Sequence, residues 1–194
     1  MVATPSAMVE LGTPCPRFSL PDVVSGDTVS GDDLAGRPAL LVCFICNHCP
    51  FVKHIIKGLC DLAAGYQSLG VEVIAICSND AESHPEDSPE HMKAFARANN
   101  FTFPYLHDES QEVAKAFRAA CTPDFFIYDV DGLLVYHGQM DDARPDNHMP
   151  VTGHDLREAL DSTLEGIPFP PDQDPSIGCN IKWKPGNEPD YFNA

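Results

Sequence analysis

Basic side chains are scarce in this chain. Twelve lysines and arginines stand against 29 aspartates and glutamates, for a formal net charge of −17. Such a surface repels phosphate backbones and anionic lipid, so no nucleic acid and no membrane partner is expected. No apolar run approaches the roughly 18 residues that a membrane-spanning helix needs. Internal repeats and low-complexity tracts are missing too. A hydrophobic share of 43% with 21% charged residues excludes wholesale disorder. Residues Met1 to Glu10 show neither a basic segment nor an apolar one, so no secretory signal is legible and a cytoplasmic location is expected. What the chain has in quantity is proline, 18 residues, and cysteine, eight residues, in a length of 194. A chain this long buries enough surface to fold without covalent staples. Structural disulfides are rare in the cytoplasm, so the cysteines are read as packing residues or as chemistry.

Hydrophobic patterning gives the order of elements. Short β-like pieces at Phe18–Leu20 and Thr28–Ser30 form an N-terminal β extension. Ala39–Ile45 is an unbroken apolar run, which suits a strand buried on both faces. From Pro50 to Leu69 the apolar residues Val52, Ile55, Ile56, Leu59, Leu62 and Ala63 fall at helical spacing, and Gly70 supplies the stop. Val71–Cys77 reads as a second buried strand, completing a βαβ unit. Cys43 and Cys77 lie inside these runs as plain buried hydrophobes. Asp80–Glu90 reads as a surface loop, and Ser88-Pro89 opens a helix to Asn99. Phe103–Leu106 is a short strand. Asp108 with Gln111 reads as a capping box for a helix through Ala119. Asp124–Val130 and Leu133–Gly138 are strands joined by the turn Asp131-Gly132. Thr152 and Asp155 cap a last helix to Glu165. The expected class is α/β: a mixed sheet flanked by helices over residues 1–166, with an irregular tail, 167–194, packed on the same domain.

The strongest chemical signal is Cys46-Asn47-His48-Cys49-Pro50. Proline is tolerated in the first turn of a helix and not later, so both cysteines fall at the helix start. Unpaired backbone N–H groups there favour an anion, and the thiolate is the reactive form of cysteine. The local sequence therefore predicts Cys46 as an exposed nucleophile of lowered pKa, Cys49 as a more buried resolving thiol, and His48 as a positive partner. The competing reading is a half metal site built on the same cysteines with a histidine. No second C-x-x-C accompanies it.

Other groups carry two readings each. Thr122-Pro123 before a strand is either a cis bond in a tight turn or an ordinary trans proline. Cys121 is a third redox thiol or a small packed residue. Cys179, in a Gly-rich tail near Trp183, Tyr191 and Phe192, is a resolving thiol or part of a docked tail with Trp183 as anchor. Asp141, Asp142 and Asp146 around Arg144 read as a solvated acidic turn rather than a cation loop. Lys53, four residues after Cys49, shares its helix face with the thiols, and His54 lies beside it.

The motifs CNHCPFVKH (Cys46–His54), ACTPDFF (Ala120–Phe126), the acidic segment Asp141–Pro145, PVTGHDLR (Pro150–Arg157) and SIGCNIKWKPGNEP (Ser176–Pro189) span nearly the whole chain. With them the sequence resembles the thioredoxin-like or peroxiredoxin-like (redoxin, AhpC/TSA-type) proteins of bacteria. The resemblance implies a thioredoxin fold, Cys46 and Cys49 as the redox pair, and Pro123 as a cis-proline facing them. The chain departs from the peroxidatic pattern P-x-x-x-T-x-x-C: aligned on Cys46, it has Ala39 for the proline and Cys43 for the threonine.

The expected function is a thiol–disulfide oxidoreductase using the Cys46/Cys49 dithiol, with a weak thiol peroxidase activity beside it. Catalysis rests on Cys46 and Cys49, substrate contact on Asn47, His48, Thr122 and Pro123, and Cys121 and Cys179 are candidate additional redox thiols. No cofactor and no metal is required. A disulfide or peroxide substrate and an external thiol reductant are the expected partners. The alternative is a thiolate carrier of Cu(I) or Zn²⁺ on the same fold.

Overall fold

A computed structural model describes residues 3–34 and 36–192. Ten strands and four α-helices follow in the order β1 (Ala3–Pro5), β2 (Ser19–Pro21), β3 (Thr28–Ser30), β4 (Ala39–Phe44), α1 (Pro50–Gln67), β5 (Glu72–Cys77), α2 (Pro89–Ala98), β6 (Tyr105–His107), α3 (Glu112–Phe117), β7 (Cys121–Thr122), β8 (Asp124–Asp129), β9 (Leu134–Gly138), α4 (His154–Glu165) and β10 (Ile177–Asn180). The central sheet has the order β6-β5-β4-β8-β9. β4, β5 and β6 are parallel, while β8 and β9 run antiparallel. This is the mixed sheet that the sequence pattern predicts.

The unbroken apolar runs have a simple cause. Side chains alternate across a strand, and both faces of this sheet are covered. Leu41, Cys43 and Ile45 pack with α1, α2 and α4, through Val52, Leu59, Met92 and Leu156. Leu40, Val42 and Phe44 face the other way, toward Phe117 of α3 and toward Trp183 and Tyr191 of the tail. Trp183 and Tyr191 are buried at an edge-to-face ring distance of 6.5 Å. β4 is thus in the middle of two cores, and its C-terminal end delivers the C-x-x-C segment to the top of the sheet.

Three local expectations differ from the structure. The Asp108–Gln111 capping box does not form. Gln111 has a left-handed φ of 66° and α3 begins only at Glu112. Its side-chain amide instead donates to the carbonyls of Ser78 (2.7 Å) and Lys182 (2.9 Å), fastening the tail to the body. The helix α4 is preceded by Gly153 at φ 67°, and the Asp155 carboxylate accepts from Gln139 rather than closing a box. The acidic turn is not solvated at its centre. Asp141 is buried and accepts backbone N–H groups of Ala143, Thr152 and Gly153 at 2.9, 2.7 and 2.6 Å, so it organises the approach to α4.

The tail holds a strand that its sequence does not announce. β10 lies between β1 and β7, antiparallel to both, with Cys179 opposite Ala3 on one side and Thr122 on the other. A four-residue stretch, Ile-Gly-Cys-Asn, is too short and too mixed for a period-2 signal.

Candidate redox site

β4 ends at Phe44, and the chain crosses Ile45 to Cys46 before α1 starts. Cys49 is the N-cap of α1 in extended conformation, and Pro50 occupies the first helical position. The sequence reading of the helix start therefore holds in detail. From the facing segment, the Thr122 hydroxyl lies 3.3 Å from Cys46 Sγ, and the Thr122 carbonyl accepts from Cys49 Sγ at 3.2 Å. The Thr122–Pro123 peptide is cis. One residue thus touches both sulfurs from across the site.

Asp87 holds the C-x-x-C loop in place. Its carboxylate accepts from the backbone N–H of Asn47 (2.7 Å), from Asn79 Nδ2 (2.7 Å) and from His48 Nδ1 (2.6 Å). It is fully buried, although the loop carrying it reads as surface in the sequence. Asn47 is itself buried: its amide donates to the Glu86 carbonyl (2.7 Å) and its oxygen accepts from the Tyr105 hydroxyl (3.1 Å). Asn47 therefore spends its side chain on holding the loop. His48 remains partly exposed, stacked on His84 at 5.1 Å. Asp87, Asn79 and Tyr105 are the residues that sequence reasoning missed. A polar loop and a short strand gave no signal that they would converge.

The local prediction of an exposed Cys46 is corrected: neither Cys46 nor Cys49 exposes any surface. Asp87 draws the loop inward from one side, and the tail covers Cys49 from the other. Cys49 Sγ lies 3.0 Å from Cys179 Sγ. The electrostatics also reverse the expected order. The Cys49 thiol is shifted strongly down, first by its hydrogen bond with Cys179, then by that with Cys46 and by the Val52 backbone at the helix start, against the opposing effect of burial. The Cys46 thiol is pushed well up by its hydrogen bond to Cys49, by burial and by the nearby Asp87 carboxylate. A helix N-terminus stabilises charge at the N-cap, and Cys49 rather than Cys46 stands there.

The remaining sulfurs are placed differently. Cys121 lies on β7 with its sulfur turned to the carbonyls of Pro123 (3.6 Å) and Ser176 (3.9 Å), and burial raises its pKa far above the ordinary thiol value. Cys43 and Cys77 are fully buried packing residues. Burial alone pushes the Cys15 thiol up to about 11. Burial does the same to Cys60, with help from Asp61. Lys53 is exposed. Among the described residues, ligand atoms of Cys46, His48 and Asp87 lie within 4.8 Å of one another. Yet the Asp87 oxygens already accept three N–H bonds, one of them from the histidine itself, so the set is bonded internally rather than open to an ion.

The sequence profile described as the AhpC/TSA family matches residues 11–137. The chain belongs to that family. Chloroplastic peroxiredoxin Q of Triticum aestivum is 33% identical over 153 residues, which span 74% of this chain and 65% of that protein. The chain thus covers just under two thirds of that relative's length. Among solved structures, an uncharacterized conserved protein from Geobacillus kaustophilus superposes with a TM-score of 0.94 at 55% identity, covering 96% of this chain and 98% of that one. A secreted disulfide oxidoreductase of Mycobacterium tuberculosis shares the fold at a TM-score of 0.58 and 19% identity, over 75% of this chain and 95% of its own. Family and fold agree: the chain is an AhpC/TSA-family protein with a thioredoxin-like fold.

Asp87 also makes the stability of the site depend on pH. Its hydrogen bond raises the pKa of His48. Burial would raise the pKa of Asp87, but the bonds from His48, Asn79 and Asn47 bring it below the ordinary value. A raised histidine contributes stability that is full below its unfolded pKa, about 6.5, and fades as pH rises through the folded value. A depressed carboxylate contributes fully above its unfolded pKa, about 3.9, and loses that as pH falls through the folded value. The pair is expected to contribute most between about pH 4 and 6.5. Asp87→Asn should cost about 1–3 kcal/mol in that window, where it strips a buried acceptor from its donors. Urea unfolding of both proteins across the pH range measures it. Parallel curves for wild type and mutant would show that the pair does not set the profile.

Proposed function

We propose that this protein is a thiol–disulfide oxidoreductase whose redox couple is Cys46–Cys49. It takes a disulfide or, more weakly, a peroxide as substrate and is returned to the dithiol by an external thiol reductant. The observation that carries this reading is the pair of sulfurs at the start of α1, both in contact with Thr122. Cys49 stands at the N-cap of α1 and its thiol is the one shifted down, so it attacks as the thiolate after releasing the proton it shares with the Thr122 carbonyl, and Cys46 is the thiol that resolves the adduct. The hydroxyl that the peroxidatic pattern places three residues before its cysteine is absent locally. Thr122 brings one to Cys46 from another strand, which supports a peroxide reaction of modest rate. The cytoplasmic location expected from the sequence fits a reducing pool that keeps the thiols reduced.

The test is multiple turnover of insulin disulfides and of hydrogen peroxide with dithiothreitol as reductant. Both rates should exceed the reagent background, with the disulfide favoured. A Cys49 thiol shifted down also makes the alkylation rate of reduced protein climb less steeply with pH below 8 than that of a free thiol of pKa about 8.5, which gains roughly tenfold per unit. Absence of turnover on both substrates would remove the reading.

A further inference from the structure

A further sulfur beside Cys49 comes from neither the helix nor the facing Thr122 segment but from the tail. Cys179 Sγ stands 3.0 Å from Cys49 Sγ, although 130 residues separate them in sequence. A bonded pair would be at about 2.05 Å, so closure needs a movement of about 1 Å. We propose that Cys179 is a second resolving thiol, which competes with Cys46 for oxidised Cys49 and gives the site a Cys49–Cys179 disulfide as well as Cys46–Cys49. The proposal rests on Cys49 being the attacking thiolate, as argued above.

Three features carry it. First, the position of Cys179 is fixed by main chain on both sides, Ala3 and Thr122 being its strand partners. Second, the strand can lie this close to the site because residue 178 is glycine, with no side chain toward the Thr122 carbonyl. Third, side chains alternate along β7, so Thr122 faces the sulfurs while Cys121 is turned to other carbonyls. That removes Cys121 from the same role. The hydrogen bond with Cys49 and burial push the Cys179 thiol up, while Lys182 acts the other way, so Cys179 carries a proton in the reduced state. Once Cys49 is oxidised that proton leaves with the departing group.

The chemistry closes without another reagent. The Cys49 thiolate attacks one oxygen of hydrogen peroxide, an S–O bond forms, the O–O bond breaks, and hydroxide leaves. Cys49 is then a sulfenic acid, oxidised by two electrons. Cys179 sulfur attacks Cys49 Sγ, the S–O bond breaks, and the leaving hydroxide takes the Cys179 proton as water. The product is the Cys49–Cys179 disulfide, which the external thiol reductant must reopen.

The experiment oxidises the reduced full chain with one equivalent of hydrogen peroxide, quenches in acid, alkylates, and maps disulfide-linked peptides by mass. Wild type should give both the Cys46–Cys49 and the Cys49–Cys179 links. Cys46→Ser should give Cys49–Cys179 alone, with Cys179 alkylation lost in proportion. Cys179→Ser should give Cys46–Cys49 alone. If Cys46→Ser instead stops at a Cys49 sulfenic acid trapped by dimedone, with Cys179 fully alkylated, the inference falls; a persisting Cys46–Cys49 link in wild type then leaves the proposed function standing. If Cys49 is unmodified in all three proteins, both fall.

Discussion

Cys49→Ser is expected to reduce turnover of disulfide and peroxide alike to reagent background, a loss of at least ~10³-fold. Two properties of Cys49 converge on this result. Its thiol is shifted down, through its hydrogen bonds with Cys179 and Cys46 and through the Val52 N–H of the first helical turn. It also has Cys46 on its own loop and Cys179 at 3.0 Å from the tail. A serine there removes the nucleophile and both routes to a disulfide, because an alcohol neither ionises near neutral pH nor forms a bond to sulfur that exchanges. Cys46→Ser should be milder in a single turnover, since Cys49 keeps its place at the N-cap of α1 and Cys179 stays at 3.0 Å. Steady-state assays with dithiothreitol on the two serine variants check the ranking. Equal or greater loss in Cys46→Ser, with Cys49→Ser still turning over, would return the attacking role to Cys46.

The second large effect is structural. A Cβ on Gly178 would stand 2.0 Å from the Thr122 carbonyl oxygen and 2.5 Å from its carbon. Both atoms are backbone, and they belong to the segment that contacts the two sulfurs, so neither can swing aside. Gly178→Ala should force β10 away from β7 and destabilise the protein by about 3 kcal/mol. The same displacement should carry Cys179 out of reach of Cys49. The urea midpoint reports the first effect, and the yield of the Cys49–Cys179 link reports the second. An unchanged midpoint would mean that β10 does not need this close approach.

Much of the architecture was legible because it depends on repeated local pattern. The run Ala39–Ile45 alternates between two cores, and a strand apolar on both faces has no other place than the middle of a covered sheet. The α1 spacing, Pro50 and Gly70 located a helix to within two residues of its observed end. The turn residues failed where two readings share one composition. Asp108 and Gln111 fit a capping box, but the Gln111 amide finds better-placed acceptors on Ser78 and Lys182. Asp141 belongs to an acidic run, yet three converging N–H groups make its burial favourable.

By itself the sequence determined the class of fold and the family and located the candidate redox pair, because each is written in contiguous residues: periodic apolar runs, Cys46 to Pro50, and long shared motifs. Only the tertiary structure decided what lies beside the pair and in which direction it shifts each thiol. Asp87, 38 residues beyond Cys49, raises the pKa of Cys46. Cys179, 130 residues beyond, stabilises the thiolate of Cys49. A thiol's pKa is set by the charges, donors and burial within a few ångströms of its sulfur. Those neighbours are chosen by which strands and loops the sheet brings to one edge, and no local window of the sequence contains them.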